Sequence, residues 1–465
     1  MISEYLSISD GTPLYARLYE GIRRDILRGE LPGGQKLPSK RQLAEQLGIS
    51  KTTVETAYAQ LQAEGYLTAK ERSGYFVAFM PLAAQPVLPA SEPLCEKRPA
   101  ASPVSAPQSL FPFSVWAKLM RGVLLDEGAE LLRAVPSGGL YELRQAIAQE
   151  LRRSRGMRVK PEQILVGAGA EYFYNLIIQF FGTDCRYAVE ALGHQKIARI
   201  YRANGVEPIP VALDGGGVRM ESLLASGASV LHISPSHQYP TGVVMPIGRR
   251  QAVLAWLQES PDRYVIEDDY DAEFRFSGRP IPAMQSMDAD GQVLYLNTFS
   301  GTIAPALRIS YLILPERLLD AWEKKLGFYA CTVPSFEQQT LTRFLGGGYF
   351  ERHLNRMKKY YRTVRQALLD VLAQPPVSAF CSVLGADAGL HFVLRLNTPF
   401  TDEQLLCKLR EAGLTAPLLR SFYVSEPQPE ANGCIVVNYT DLEPEAFRST
   451  MLRFAEQLTD DPNAL

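Results

Sequence analysis

Three short stretches carry residue types able to hold a charged, ring-shaped ligand. VIEDDYDAEF sets Asp268 just past a β-rich run and Tyr270 two residues later. A carboxylate at a strand end can partner a protonated ring nitrogen, and the same acid-rich run also suits a metal ion or a solvated loop. In NTFSGTIAPALRISYLILP, Ser300 and Arg308 bracket a tight Ser-Gly-Thr turn. A serine hydroxyl and a bidentate guanidinium together suit a phosphate. In QILVGAGAEYF, glycines end a strand and a helix opens at Ala170-Glu171. Backbone N–H groups around Gly169 and Ala170 can then approach an anion, although glycine turns between strand and helix are common in themselves.

These residues need a scaffold that brings strand ends together. The runs QILVGAG, RYAVEALG, VLHISPSHQYPTG, RYVIEDDYDAEF and VLYLNTFSG each begin apolar and meet polar residues at their C-terminal ends, with amphipathic helices between them. Strands alternating with helices predict an α/β unit with a mostly parallel sheet, whose ligands sit at the carboxyl ends of the strands. The loop SPSHQYPTG is constrained by two prolines and a glycine, and Gln238 and Tyr239 within it receive no role.

Length and charge limit the rest. The chain has 465 residues, 46% of them hydrophobic, which allows two or three domains with a large core. Its formal net charge of -2 gives no global basic field, so any nucleic-acid claim must rest on a local motif. Six cysteines lie scattered without a CxxC pair, a pattern of reduced thiols rather than of a disulfide framework or a zinc site. The N-terminus lacks a basic stretch followed by an apolar run, and no uncharged stretch reaches membrane-spanning length. The expectation is a cytoplasmic protein with no membrane partner. Between Pro81 and Leu110 lie seven prolines and no helical or strand period. That segment reads as an extended linker, dividing the chain into a domain at 1–80 and a larger one at 111–465.

The small domain has its own pattern. Tyr15, Leu18, Tyr19, Ile22 and Ile26 fall at helical spacing, and Gly29 supplies a stop. Ser39 followed by Gln42 forms a capping-box sequence before a short helix closed by Gly48. Ser50 opens a third helix carrying Val54, Tyr58 and Leu61 on one face, closed by Gly65. Two short helices joined by a tight turn read as helix-turn-helix, and the runs around Ser73-Gly74 read as a hairpin wing. Lys36, Lys40, Arg41 and Lys51 stand against one acid, Glu45, near the helix N-termini.

GQKLPSKRQLAEQLGISKTTVETAYAQLQAEGYLTAKERSGYFV resembles the winged-helix domain of GntR-type transcription regulators along its whole length. The resemblance implies DNA contacts at Ser39, Lys40, Arg41, Ser50, Lys51, Thr52 and Thr53, with Ser73 and Gly74 at the wing tip. Residues 111 to about 455 resemble the fold type I aminotransferase domain, with a smaller C-terminal α+β subdomain, that MocR-type regulators carry behind such a winged helix. The landmarks are PSGGLYELRQAIA, SPSHQYPTG, VIEDDYDAEFR, NTFSGTIAPALRISYLILP and CTVPSFEQQTLTRF. That family uses pyridoxal 5′-phosphate as its sensing cofactor. By motif, Asp268 would pair with the pyridine nitrogen, Tyr270 would lie near the phenolic oxygen, and Ser300 and Arg308 would hold the phosphate beside Gly169 and Ala170.

Departures from the family pattern concern the cofactor. The family's loop runs Thr-Phe-Ser-Lys-Thr, with the lysine forming a Schiff base; here Gly301 stands in the lysine's place and offers no amine. Where the family has Glu-Asp-Pro-Gly-Tyr, this chain has Ala191 and Leu192 for Asp-Pro, and His194 for the ring that stacks on the cofactor. CIVVNY lacks an arginine found in many relatives. Loss of the lysine removes nucleophile and general base together. The expectation is a DNA-binding homodimer that recognises an operator in double-stranded DNA and senses a small-molecule effector, with no catalytic and no metal-ligating residue. Pyridoxal 5′-phosphate would bind it only noncovalently. The alternatives are a pyridoxal phosphate-dependent aminotransferase with an accessory DNA-binding domain, and a dimerisation scaffold without ligand.

Overall fold

The computed structural model describes residues 13–70, 73–78, 110–276, 281–387 and 389–459. The chain divides into two units, Met1–Lys97 and Arg98–Leu465. The segment expected as a linker, 81–110, lies outside the described residues apart from Leu110.

In the first unit, helix ends are set by side chains that satisfy orphan backbone groups. Helix α1 (Leu14–Leu27) buries Leu18, Tyr19, Ile22 and Ile26 on one stripe. Helix α2 (Lys40–Leu47) begins with a complete capping box. The Gln42 N–H donates to Ser39 Oγ, and the Ser39 N–H donates to Gln42 Oε1, each at 3.2 Å. The helix stops at Gly48 with φ 63°, a left-handed conformation that a Cβ disfavours. Helix α3 (Lys51–Ala63) begins at Ser50, whose Oγ accepts the Thr53 N–H at 3.1 Å. Strands β1 (Leu67–Lys70) and β2 (Gly74–Val77) pair antiparallel, Leu67 opposite Val77, and form the wing. Leu43, Val54, Tyr58 and Leu61 meet the α1 stripe in one core.

The second unit is α/β, as the alternation of runs predicts. Helices α4 (Phe113–Glu127) and α5 (Tyr141–Arg155) precede β3 (Ile164–Gly167), α6 (Ala170–Phe181), β4 (Tyr187–Glu190), α7 (Gln195–Ala203) and β5 (Ile209–Val211). A small hairpin, β6 (Leu213–Asp214) and β7 (Gly217–Val218), leads to β8 (Val230–Ile233), β9 (Tyr264–Asp268), β10 (Val293–Thr298) and β11 (Ser310–Ile313). Among the described residues these strands make a seven-stranded sheet in the order β3-β11-β10-β9-β8-β4-β5. It is parallel from β10 to β5, and β11 runs antiparallel to both of its neighbours. A second, antiparallel sheet holds β12 (Cys381–Leu384), β13 (His391–Leu396) and β14 (Cys434–Asn438).

Both faces of the large sheet are covered, which explains why its strands read as unbroken apolar runs. On β10, Tyr295 joins one core while Leu294 and Leu296 join the core on the opposite face. On β11, Tyr311 and Ile313 point one way and Leu312 the other. The carboxyl ends of β4, β8 and β9 emerge side by side, and the residues singled out by sequence lie at or just after the ends of β3, β4, β9 and β10.

The α2 cap gives a direct test of this local logic. Ser39→Ala removes the Oγ that accepts the Gln42 N–H and lowers the local stability of α2 by about 1 kcal/mol. The expected readout is faster amide hydrogen exchange confined to residues 40–47, with exchange in the second unit unchanged.

Candidate functional site

The first unit divides its predicted DNA residues between structure and surface. Ser39 and Ser50 spend their hydroxyls on the helix caps, and Thr53 Oγ1 lies 2.8 Å from Ser50 Oγ. Lys40 turns toward the wing, 3.5 Å from Glu55 and with its ammonium 5.4 Å from the centre of the Tyr75 ring. Arg41 and Lys51 project outward, paired only with their helix neighbours Glu45 at 3.1 Å and Glu55 at 3.7 Å. Exposed pairs of this kind contribute little, so both cations can exchange a carboxylate for a phosphate. Thr52 is exposed on the first turn of α3, Ser73 is exposed, and Gly74 opens β2. Arg41, Lys51 and Thr52 are thus the side chains presented for contact.

In the second unit, β9 runs straight into a cluster of buried acids. Asp268 Oδ2 accepts from the Tyr174 hydroxyl at 2.5 Å and lies 3.4 Å from His232 Nε2. Burial, and then the Asp268 charge, push the Tyr174 phenol well above its usual range, so it stays protonated and donates. Asp271 Oδ2 and the Tyr270 hydroxyl both lie in range of His237 Nδ1, at 2.8 and 3.1 Å. Tyr270 is therefore engaged by His237. His391 joins this group, its ring centre 4.7 Å from that of His237. Atoms of His237, Asp271 and His391 lie within 4.8 Å of one another, all buried. Asp271 holds the His237 ring, which in turn engages the Tyr270 hydroxyl.

His194 and Tyr239 stack face to face, ring centres 5.2 Å apart and planes 29° apart. Burial holds the His194 imidazole below its ordinary pKa, so it is neutral at pH 7. The edge of Tyr239 meets Tyr270 at 6.2 Å, which places the stack beside the His237 group. Gln238 is fully buried and donates to the Leu192 carbonyl at 2.7 Å. Its Nε2 also approaches Glu190 Oε2 at 3.3 Å, while Glu190 Oε1 has no protein partner and borders a cavity of about 20 Å³. That space admits a single water.

The start of α6 is an anion seat. Gly169, with φ 92°, precedes the helix, and a methyl on it would collide with the Arg308 guanidinium. Arg308 itself has φ 50°, alone among the described non-glycine residues in the left-handed region. Such a conformation costs about 1 kcal/mol and marks a residue held in place by its surroundings. The group that Arg308 meets is the Glu171 carboxylate, at Oε2. Lys196 Nζ holds Oε1 at 2.9 Å. Burial works to raise the Glu171 pKa, but the bonds from Lys196, from its own backbone N–H and from Arg308 take it down to about 2. Ser300 Oγ is shielded and has no partner in the structure, and Gly301 beside it is buried.

Pyridoxal 5′-phosphate can be tested against these residues. Asp268 fits the ring nitrogen: a buried carboxylate whose neighbours are a protonated phenol and an imidazole. The phosphate end does not fit, because a carboxylate already occupies the helix terminus that would receive it. Sequence reasoning noted Glu171 only as the opening of a helix, and it missed Lys196, His237, His391 and Glu190. For His237 the signal lay within a motif already in view, SPSHQYPTG, whereas His391 lies on β13, a strand the sequence reading did not single out.

The two units define a class: a helix-turn-helix protein with an aminotransferase-type second unit. Residues 14–77 match the family described as bacterial regulatory proteins, gntR family, and residues 105–448 match aminotransferase class I and II. The HTH-type transcriptional regulator YdeL of Bacillus subtilis is 36% identical, across 89% of this chain and 90% of that one. The probable rhizopine catabolism regulatory protein MocR of Rhizobium meliloti is 31% identical, across 94% and 92%. The pyridoxine biosynthesis transcriptional regulator PdxR of Corynebacterium glutamicum is 33% identical, across 90% of each chain. In fold, the second unit is similar to Pyrococcus horikoshii kynurenine aminotransferase, with a TM-score of 0.68 and 23% identity over 78% of this chain and 91% of that one. The chain belongs to the MocR-type group of GntR regulators, which join a helix-turn-helix domain to an aminotransferase class I and II domain.

Glu190 yields a pH prediction. Burial, offset in part by Gln238, raises its pKa to about 8. The folded state therefore keeps a proton that the unfolded chain releases above about pH 4.3, so stability declines from there up to about pH 8. Glu190→Gln removes this dependence. Its melting temperature should match the wild type near pH 5 and exceed it near pH 8, as measured by thermal denaturation across that range.

Proposed function

We propose that the protein is a DNA-binding transcription regulator whose second unit reads a small ligand without turning it over. The observation that carries the first half is the outward set Arg41, Lys51 and Thr52 at the starts of α2 and α3. Helix N-termini flanked by cations suit phosphates, and an exposed first turn of the second helix suits base edges. Relatives that match nearly the whole chain are named as transcriptional regulators, which supports the same reading. Residues 81–110 serve as the tether between a reading head at 1–80 and an effector domain at 111–465.

For the second half, Gly301 takes the position of the Schiff-base lysine in the loop that follows β10. No amine there means no covalent cofactor and no lysine to shuttle a proton, so the reading is a sensor and not an aminotransferase. Asp268 offers the acceptor for a pyridine-type or amine nitrogen, and the His194–Tyr239 pair offers aromatic surface. The ligand is of pyridoxal type or an amine derivative, held noncovalently. Two copies of the chain give two reading heads and multiply affinity for a two-part operator. Phe113, Leu125 and Leu132 are 66, 78 and 80% exposed in and just after α4, an apolar surface that supports self-association. No helix among the described residues is long and apolar enough to cross a membrane. The proposed setting is the cytoplasm.

Fluorescence anisotropy with DNA from upstream of the chain's own coding region tests the DNA reading. Binding should weaken steeply with salt, and Lys51→Ala should lower affinity on all sequences and reduce the salt slope by about 1. Absence of salt-sensitive, sequence-dependent binding overturns it. For the ligand reading, incubation with pyridoxal 5′-phosphate and then borohydride should leave no individual lysine stoichiometrically modified in peptide mass spectra. Capture at one specific lysine restores the enzyme reading.

A further inference from the structure

The groups around the start of α6 are those that a phosphate ester would use. A helix-terminal backbone N–H, an ammonium and a guanidinium converge on one point, drawn from α6, α7 and the loop before β11. Their partner is the carboxylate of Glu171. Gly169 lets the guanidinium lie against the backbone, and Arg308, half exposed, holds a left-handed φ. The interaction links residues 137 positions apart, so it arises from the fold and not from local helix chemistry.

We propose that Glu171 is a permanent internal occupant of the phosphate subsite, so that the pocket takes an unphosphorylated nitrogen heterocycle or amine facing Asp268. This rests on the ligand-sensing reading above and specifies its ligand. A phosphate dianion entering the seat would meet a carboxylate that already engages both nearby cations, one at each oxygen, and like charges at contact distance repel. The carboxylate cannot escape by protonation, because the same three donors hold it ionised at every physiological pH. Ser300 Oγ is still unpartnered and shielded. A neutral hydroxymethyl group, the unphosphorylated counterpart of the phosphate ester, can bond to it without bringing charge.

The experiment is calorimetric titration of the full chain with pyridoxal and with pyridoxal 5′-phosphate, alongside thermal denaturation in inorganic phosphate. Wild type should bind the two pyridoxal forms within about threefold of each other, and inorganic phosphate should not raise its melting temperature. Glu171→Gln frees Lys196 and Arg308. It should bind pyridoxal as wild type does, bind the phosphorylated form about tenfold tighter or more, and gain thermal stability from inorganic phosphate. A wild type that prefers the phosphorylated form by about tenfold overturns the proposal, and this arm stands even if the variant does not fold. So does inorganic phosphate that stabilises both proteins equally, or neither. If phosphate stabilises only Glu171→Gln while no pyridoxal compound binds either protein, the assignment of Glu171 holds and the pyridoxal-type ligand reading falls.

Discussion

Strand β9 ends by burying Glu267, Asp268, Asp269 and Asp271 almost together, each with exposure of 5% or less. Uncompensated, each ionised carboxylate would cost several kcal/mol, so the architecture around this strand is organised by the need to supply partners. Met284 and Gln285 donate backbone N–H groups to Glu267, each at 2.9 Å. Tyr174 on α6 and His232 on β8 serve Asp268. Arg155, at the last turn of α5, pairs with Asp269, and Tyr295 on β10 donates to it at 2.7 Å. His237 serves Asp271. Six separate places in the chain are thereby fixed in position relative to one strand end. Precision in the pocket is a by-product of neutralising this cluster.

Much of this was legible in the sequence, for identifiable reasons. Ser39 with Gln42, Ser50 and Gly48 act through contacts a few residues away, so local spacing revealed the helices of the first unit. Apolar runs exposed the strands because both sheet faces are covered. That β11 would insert antiparallel between β10 and β3 was not legible, since register and neighbour are set by long-range packing and leave no local trace. Asp268 could be singled out because it stands at a strand end. Glu171 could not: an acid in the first turn of a helix is ordinary, favourable chemistry for any helix. Only the approach of Arg308 and Lys196 from distant segments reveals what its carboxylate does. His237 was hidden differently, because its partners Asp271 and Tyr270 lie more than 30 residues away.

The two units treat charge in opposite ways. On the reading head, Arg41 and Lys51 are tied to carboxylates through exposed pairs that water and salt already loosen, leaving them open to exchange. In the effector domain, Arg155 and Arg250 are committed deep in the interior and serve the fold. Arg308 stands between these extremes, half exposed and bound to an internal anion.

That intermediate position of Arg308 bears on what the folded chain leaves for a ligand to satisfy. A fold whose anion seat waits for a cofactor is least stable when the cofactor is scarce. Here the chain brings its own anion, and the arginine, the lysine and the helix terminus are satisfied from the moment of folding. Those three donors are satisfied in the folded chain before any ligand arrives, so ligand binding stabilises the fold only through the contacts it makes elsewhere in the pocket.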